Sequence, residues 1–200
     1  MNNQSELFLK KGISNTLIIS FGGSQSGLGT LAMFEFKNFL EKNYPSLDKL
    51  FYIDDHQDWY QQGIKGITKS IDETVKHIQH LTHKYDKIIC IGSSSGGYAA
   101  ILFGSLLNVD TVLTFNAQTY LDRPHFSTNL RLVVNESTKY ILYGDLSIKK
   151  SVDHLHHISH CENLEGPPNV TVYKKDTCNL KELRDSGELL EIFKTILPIH

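Results

Sequence analysis

The sequence feature that most constrains the fold lies at residues 87–100, where an apolar, β-branched run leads into Gly-Ser-Ser-Ser-Gly at 92–96 and then into small residues. This order predicts a buried strand, a sharp turn and a helix. Ser94 stands at the apex of the turn. The apex residue of such a turn adopts a strained backbone, so only small residues two positions before and after it avoid a clash, and glycine occupies both. Ser94 is therefore the candidate nucleophile; the alternative is a glycine- and serine-rich turn that binds a phosphate.

Composition limits the classes of protein to which this chain can belong. With 200 residues, of which 40% are hydrophobic, residues 1–200 can bury one sizeable core, and we expect a single domain. The 20 basic and 22 acidic side chains give a net charge of −2, which leaves no excess positive charge to attract nucleic acid. No apolar run approaches the roughly 18 residues of a membrane span, and the first residues lack the pattern of a secretion signal. We therefore expect a cytoplasmic protein without a transmembrane segment.

Apolar runs and helical periodicities alternate along the chain. Strands are predicted at 16–21, 50–54, 87–92, 111–115, 140–143 and 169–173, and helices at 29–42, 64–81, 94–107, around 154–160, and at 180–197. This alternation predicts an α/β fold with a mostly parallel sheet of about six strands and helices on both faces. The remaining length leaves no room for a lid domain. Residues 119–138 show little periodicity, so we expect a loop that shapes a pocket.

A glycine-rich loop follows the strand predicted at 16–21. In this loop the backbone N–H of Gly23 or Ser24 would face the serine turn. Together with the N–H of Ser95, the residue after the candidate nucleophile, it would form an oxyanion hole, because such a site needs two donors directed at one developing charge. The alternative is that these glycines only turn the chain or bind a phosphate.

Trp59 and Tyr60 follow the strand predicted at 50–54. Ligands of open α/β sheets bind beyond the carboxyl ends of the strands, so these two rings are candidate substrate-binding residues. An aromatic pair that covers the edge of the sheet is the alternative and the more common arrangement.

A serine hydroxyl needs a histidine to accept its proton, and a carboxylate to hold that histidine in one tautomer. Two aspartates are candidates for the carboxylate. Asp145 follows Gly144 at the end of the strand predicted at 140–143, and Asp153 lies eight residues later, at the start of the predicted histidine-rich helix. A carboxylate at either position could instead cap a helix.

Four segments of the chain together resemble a known family. They are Phe-Gly-Gly at 21–23, Trp-Tyr-x-x-Gly-Ile at 59–64, Gly-x-Ser-x-Gly-Gly-Tyr at 92–98 and Leu-Arg-Asp-Ser-Gly-x-Leu at 183–189. The pattern resembles α/β-hydrolase-fold proteins, in particular the branch associated with bacterial polysaccharide and glycan assembly, which includes O-acetyltransferases. The resemblance extends over residues 16–197, and the serine turn, the nucleophile elbow of that fold, is its specific part. It implies that an aspartate and a histidine three residues apart, here Asp153 and His156, stand at the head of the penultimate helix.

The chain differs from this family at the position of the general base. The resemblance places a catalytic histidine ten residues before Gly187, where this chain has Thr177. One explanation is that another histidine, namely His156, His157 or His200, reaches the nucleophile. A second is that Cys178 is structural and activity is weak or lost. A third is a metal site formed by His154, His156, His157, His160 and Cys161.

The sequence thus predicts serine-dependent acyl transfer, either by an esterase or acyl hydrolase or by a sugar O-acetyltransferase. The resemblance favours a carbohydrate acceptor, acetyl-CoA as the acyl donor and a protein partner in glycan assembly, whereas the general fold favours a small ester and water. We expect no metal and no other cofactor. The alternative is a catalytically degenerate α/β-hydrolase-like module that binds or scaffolds.

Overall fold

The computed structural model describes residues 5–12, 14–23, 34–148 and 154–198. Three residues singled out in the sequence, Ser24, Asp153 and His200, lie outside these ranges. Within them, no helix combines the length and the apolar character needed to cross a bilayer.

A mostly parallel sheet of seven strands, one more than predicted, forms the centre of the described chain. In chain order the strands are β1 (Glu6–Leu9), β2 (Thr16–Phe21), β3 (Asp48–Tyr52), β4 (Lys87–Ser93), β5 (Thr111–Phe115), the separate hairpin β6 (Tyr120–Arg123) and β7 (Phe126–Asn129), then β8 (Lys139–Asp145) and β9 (Val170–Lys175). The order in the main sheet is β1-β3-β2-β4-β5-β8-β9, and only β1 is antiparallel to its neighbour. The predicted α/β class is confirmed.

Helices cover both faces of the sheet. They are α1 (Lys37–Asn43), α2 (Ile71–Thr82), α3 (Ser94–Leu106), α4 (Ser159–Glu162), α5 (Leu180–Asp185) and α6 (Glu188–Lys194). Buried residues of α2 and α3, such as Ile78 and Phe103, belong to one apolar cluster, and those of α1 and α6, such as Leu40 and Phe193, belong to the other. The central strands are apolar on both sides because each face is covered in this way.

Several predicted boundaries differ from those in the structure. Helix α2 begins at Ile71, because the Ser70 side chain accepts the Glu73 N–H and caps the helix there, and the preceding residues form turns. Residues 119–138 contain the β6–β7 hairpin and a short 3₁₀ turn in place of the expected loop. The last predicted helix divides into α5 and α6 at Gly187, whose φ of 83° interrupts the helical path.

The strand order creates a reversal between β2 and β4, because the chain continues from β2 to one side of the sheet and from β4 to the other. The two strands are paired so that Phe21 lies opposite Gly92. The Gly22–Gly23 turn and the serine turn therefore leave the sheet side by side, and ligands of open α/β sheets bind at such a reversal.

Candidate active site

Ser94 lies in the sharp turn between β4 and α3, with a φ of 53°. This is the left-handed region, which a serine seldom adopts. Close packing forces glycine at the two flanking positions. A Cβ on Gly92 would lie 2.2 Å from the carbonyl oxygen of Gly96, and one on Gly96 would lie 2.2 Å from that of Phe21. The turn therefore has the strained backbone and the flanking glycines that the sequence predicts.

His156 is the histidine that the structure brings to Ser94. Its Nε2 atom lies 2.8 Å from Ser94 Oγ. It reaches the serine from the segment between β8 and α4 rather than from the loop after β9. Of the three explanations for the departure at Thr177, this geometry corresponds to the first. Thr177 itself donates its hydroxyl to Glu182 Oε2 at 3.2 Å.

Gln118 is a second side chain in contact with Ser94, and the sequence analysis did not single it out. Its Nε2 donates to Ser94 Oγ at 3.2 Å, and its Oε1 accepts from the indole N–H of Trp59. The indole nitrogen can only donate, so the amide oxygen must face Trp59 and the amide NH₂ must face the serine. The Ser94 oxygen thus accepts the Gln118 N–H. The Ser94 proton is then available to His156 Nε2, which can accept it in the tautomer whose own proton lies on Nδ1.

Two of the candidate oxyanion donors, Gly23 and Ser95, lie next to Ser94. Gly23 touches the elbow, since a Cβ on Gly23 would lie 3.7 Å from Ser94 Cβ and 3.2 Å from the Ser93 carbonyl oxygen. Ser95 is buried in the first turn of α3, directly after Ser94. Ser24, the other candidate, lies outside the described residues.

The structure describes only one of the two candidate acids. Asp145 is buried at the end of β8, where its carboxylate accepts from the backbone N–H of Ser147 at 2.8 Å, from the Ser147 hydroxyl at 2.6 Å and from the backbone N–H of Cys178 at 2.9 Å. The bond from Cys178 joins the end of β8 to the segment that follows β9. Asp153 lies outside the described residues.

The histidines of the possible metal site lie on the helix predicted around residues 154–160. In the structure only residues 159–162 of this segment are helical. His160 is buried, stacks on Tyr120 at 4.0 Å and accepts the Thr119 N–H through Nδ1. Burial, together with His156 and His157 nearby, lowers the pKa of His160 to about 4. In the described part of the chain, no group of three His, Cys, Asp or Glu side chains is close enough to hold a metal ion.

Trp59 and Tyr60 occupy different environments. Tyr60 is 0% exposed, and its hydroxyl donates to the Gly22 carbonyl at 3.0 Å, so it supports the loop from the core and offers no surface to a substrate. Trp59 is partly exposed and lies between Arg123, 4.6 Å from its ring, and Phe126 of the hairpin. Trp59 therefore connects the hairpin to Gln118, which contacts Ser94.

Glu35 is a further acidic group at the site that the sequence did not indicate. Its carboxylate accepts from the Ser93 hydroxyl at 2.9 Å and from the Ser93 backbone N–H at 3.3 Å. Burial raises the pKa of Glu35 from 4.5 to about 7, and hydrogen bonds from Ser93 and the Gly23 backbone act in the opposite direction. Glu35 is thus the carboxyl group beside the elbow that titrates near neutral pH.

Two cavities open beside Ser94. The larger has a volume of about 730 Å³ and lies between the residues around α1 and those of α5 and α6. The smaller, of about 290 Å³, is lined by Ser94, His156, Asn116 and Cys178 on the other side of the nucleophile. A substrate can therefore approach the serine from two directions.

Searches for related proteins returned structures alone. No protein-family model matches the sequence, and no curated protein matches it. A mutant of the capsule O-acetyltransferase of Neisseria meningitidis serogroup A in complex with CoA has a TM-score of 0.65 at 13% identity, with 94% of this chain and 91% of that chain covered. A lipase-esterase related protein from Clostridium acetobutylicum has a TM-score of 0.61 at 14% identity, with 95% and 99% covered.

A third similar structure is a chain of the glycosylation associate protein complex from Streptococcus agalactiae, with a TM-score of 0.60 at 14% identity. It covers 96% of this chain but 44% of the other. At such low sequence identity, these similarities are evidence of the fold alone. With the strand order and the strained serine turn, they show that this chain has the α/β-hydrolase fold.

Proposed function

We propose that this protein catalyses serine-dependent acyl transfer, with Ser94 as the nucleophile and His156 as the general base. The observation that carries the proposal is the 2.8 Å contact between Ser94 Oγ and His156 Nε2, at a serine held at a φ of 53°. An unperturbed serine hydroxyl is a weak nucleophile, and an adjacent unprotonated imidazole is what activates it.

The contacts at Ser94 support the following sequence of steps. Ser94 Oγ forms a bond to the acyl carbon while its proton passes to His156 Nε2. The N–H groups of Ser95 and of Gly23 or Ser24 stabilise the resulting oxyanion. When the adduct collapses, the bond to the leaving group breaks and that group takes the proton from His156. An acceptor hydroxyl then gives its proton to His156 and attacks the acyl carbon of the acyl-serine. When this second adduct collapses, the bond between the acyl carbon and Ser94 Oγ breaks and Ser94 takes the proton back from His156.

Asp153 is our proposed acid. It precedes His156 by three residues, and the expected role is to accept the Nδ1 proton of that ring. Asp145 is the weaker candidate, because the hydrogen bonds of its carboxylate go to Ser147 and Cys178.

The similar structures suggest the chemical class of the substrates. One is an O-acetyltransferase of capsule with CoA bound, and another is related to lipases and esterases. We propose acetyl transfer from acetyl-CoA to a carbohydrate hydroxyl in the cytoplasm, with hydrolysis of small esters as the background reaction when water is the acceptor. The complex from Streptococcus agalactiae suggests a glycan-assembly protein as a partner.

The rival function is a binding or scaffolding module that has lost catalysis. Its main support in the sequence was the missing histidine at Thr177. The contact of His156 with Ser94 removes that support and favours the enzyme.

The experiment that tests the proposal is the turnover of p-nitrophenyl acetate by the unmodified chain and by Ser94→Ala. Ser137→Ala is the matched control, since it removes the same hydroxyl from an exposed position. We expect loss of turnover and of fluorophosphonate labelling only in Ser94→Ala. Full activity in that variant, or labelling of Ser93 in the unmodified chain, would contradict the assignment.

A further inference from the structure

The larger cavity beside Ser94 has a distinctly basic rim. Lys37, Lys181 and Arg184 line it, and Glu35 is the one acid among the described residues that do so. Because the chain as a whole has a net charge of −2, this local excess of positive charge is not a general property of the surface.

Lys181 is the cation best placed to act on a ligand of Ser94. It lines the 730 Å³ cavity and also the 290 Å³ cavity that contains His156. Lys37 pairs with Glu41 at 2.6 Å and Arg184 with its neighbour Asp185 at 2.8 Å, whereas the Lys181 ammonium has no ion-pair partner in the described part of the chain. A charge that is unpaired next to a nucleophile is available to an anion in the cavity.

Among the described residues, five apolar side chains also line the cavity, together with the polar Asn38, Ser93 and Ser94. The five are Phe34, Phe36, Phe39, Leu180 and Leu189. A cavity lined by Ser94, by apolar side chains and by cations suits a molecule that combines a reactive acyl group, an uncharged arm and phosphates. The titration of Glu35 near neutral pH further reduces negative charge in this cavity.

We propose that the cationic rim formed by Lys37, Lys181 and Arg184 is a subsite for the phosphates of an acyl-donor thioester of the nucleoside-diphosphate type. This rests on the proposed acyl transfer and adds the residues that select the donor. Lysine and arginine bind phosphate through charge-assisted hydrogen bonds, so the rim would discriminate charged donors from uncharged ones with the same thioester.

The test compares acetyl-CoA with S-acetylpantetheine, which carries the same thioester without phosphates, and measures release of the free thiol. We expect the unmodified chain to have kcat/KM about tenfold or more higher for acetyl-CoA, the effect of one well-formed charged contact. In Lys181→Glu/Arg184→Glu that ratio should fall to about one. Lys76→Glu, the same charge change on exposed residue 76 of α2, should leave the ratio as in the unmodified chain.

The possible results distinguish a failure of the phosphate subsite from a failure of the proposed acyl transfer. Equal kcat/KM for the two thioesters in the unmodified chain would overturn the phosphate subsite while the Ser94 chemistry stands. Turnover of p-nitrophenyl acetate without turnover of either thioester would overturn it as well. If Lys181→Gln/Arg184→Gln leaves the ratio of the two kcat/KM values unchanged, residues other than these two discriminate between the thioesters. Loss of p-nitrophenyl acetate turnover in Ser94→Ala is the independent check on the nucleophile.

Discussion

Replacing Glu35 with glutamine should change how the stability of the protein depends on pH. The Glu35 carboxyl lies beside the elbow, where it accepts two hydrogen bonds from Ser93. Burial raises its pKa from 4.5 to about 7. Between these two values the folded protein binds a proton that the unfolded chain has released. The contribution of Glu35 to stability is therefore complete below pH 4.5 and is lost as pH rises to about 7.

The size of this effect follows from the same two values. The span from 4.5 to about 7, at about 1.4 kcal/mol for each pH unit, corresponds to about 3 kcal/mol of unfolding free energy. Glutamine resembles the protonated carboxyl group in shape and charge, and the Ser93 hydroxyl can rotate to suit it. We therefore expect Glu35→Gln to become more stable relative to the unmodified chain as pH rises, by up to about 3 kcal/mol.

Urea denaturation of both chains at about pH 4 and about pH 8 measures this difference. Asp54, whose pKa burial raises to about 6, and His160 contribute equally to the two chains and cancel. Glu136→Gln, the same substitution at an exposed residue, controls for the loss of one carboxyl group. A free-energy difference between Glu35→Gln and the unmodified chain that stays constant between the two pH values would refute the inference that Glu35 is protonated in the folded protein.

Three further predictions concern the elbow. His156→Ala should slow p-nitrophenyl acetate turnover by about 10²–10⁴, the usual cost of losing a general base; an unchanged rate would mean that another group accepts the Ser94 proton. Gln118→Ala should slow it only about 3- to 10-fold, since one neutral hydrogen bond is lost, and a loss beyond about a hundredfold would instead indicate that Gln118 stabilises the oxyanion. Gly96→Ala should lower the unfolding free energy by about 3 kcal/mol or more, because its Cβ would lie 2.2 Å from the Phe21 carbonyl oxygen; an unchanged urea midpoint would contradict this.

The sequence was sufficient for the features that depend on neighbouring residues. The apolar run, the glycines and the small residues around Ser94 predict a strand, a strained turn and a helix, and the structure has all three at these positions. The strand predicted at 111–115 matches β5 in both bounds. These predictions succeed because backbone sterics and burial on both faces of a strand act over only a few residues.

The sequence did not predict elements and boundaries whose local residue pattern is weak or absent. Strand β1 is an edge strand whose apolar run, Leu7–Leu9, is only three residues long and half-buried. The β6–β7 hairpin is largely polar and has no apolar run. The apolar spacing from Ile64 to Leu81 predicts one long helix, but the Ser70 cap begins it at Ile71. The spacing of apolar residues alone does not show at which residue a capping hydrogen bond starts a helix.

Only the tertiary structure decided which side chains meet at Ser94. His156 is 62 residues away along the chain and lies in an irregular segment, so no periodicity indicates its direction, and counting from a family pattern led to Thr177 instead. Gln118 has no motif around it, and it reaches the serine because β5 lies beside β4 in the sheet and Trp59 holds its amide oxygen. The sequence determined the candidate nucleophile because the turn that holds it requires only local backbone strain. The side chains that meet Ser94 are determined by strand order and loop paths, which bring distant residues within hydrogen-bonding distance.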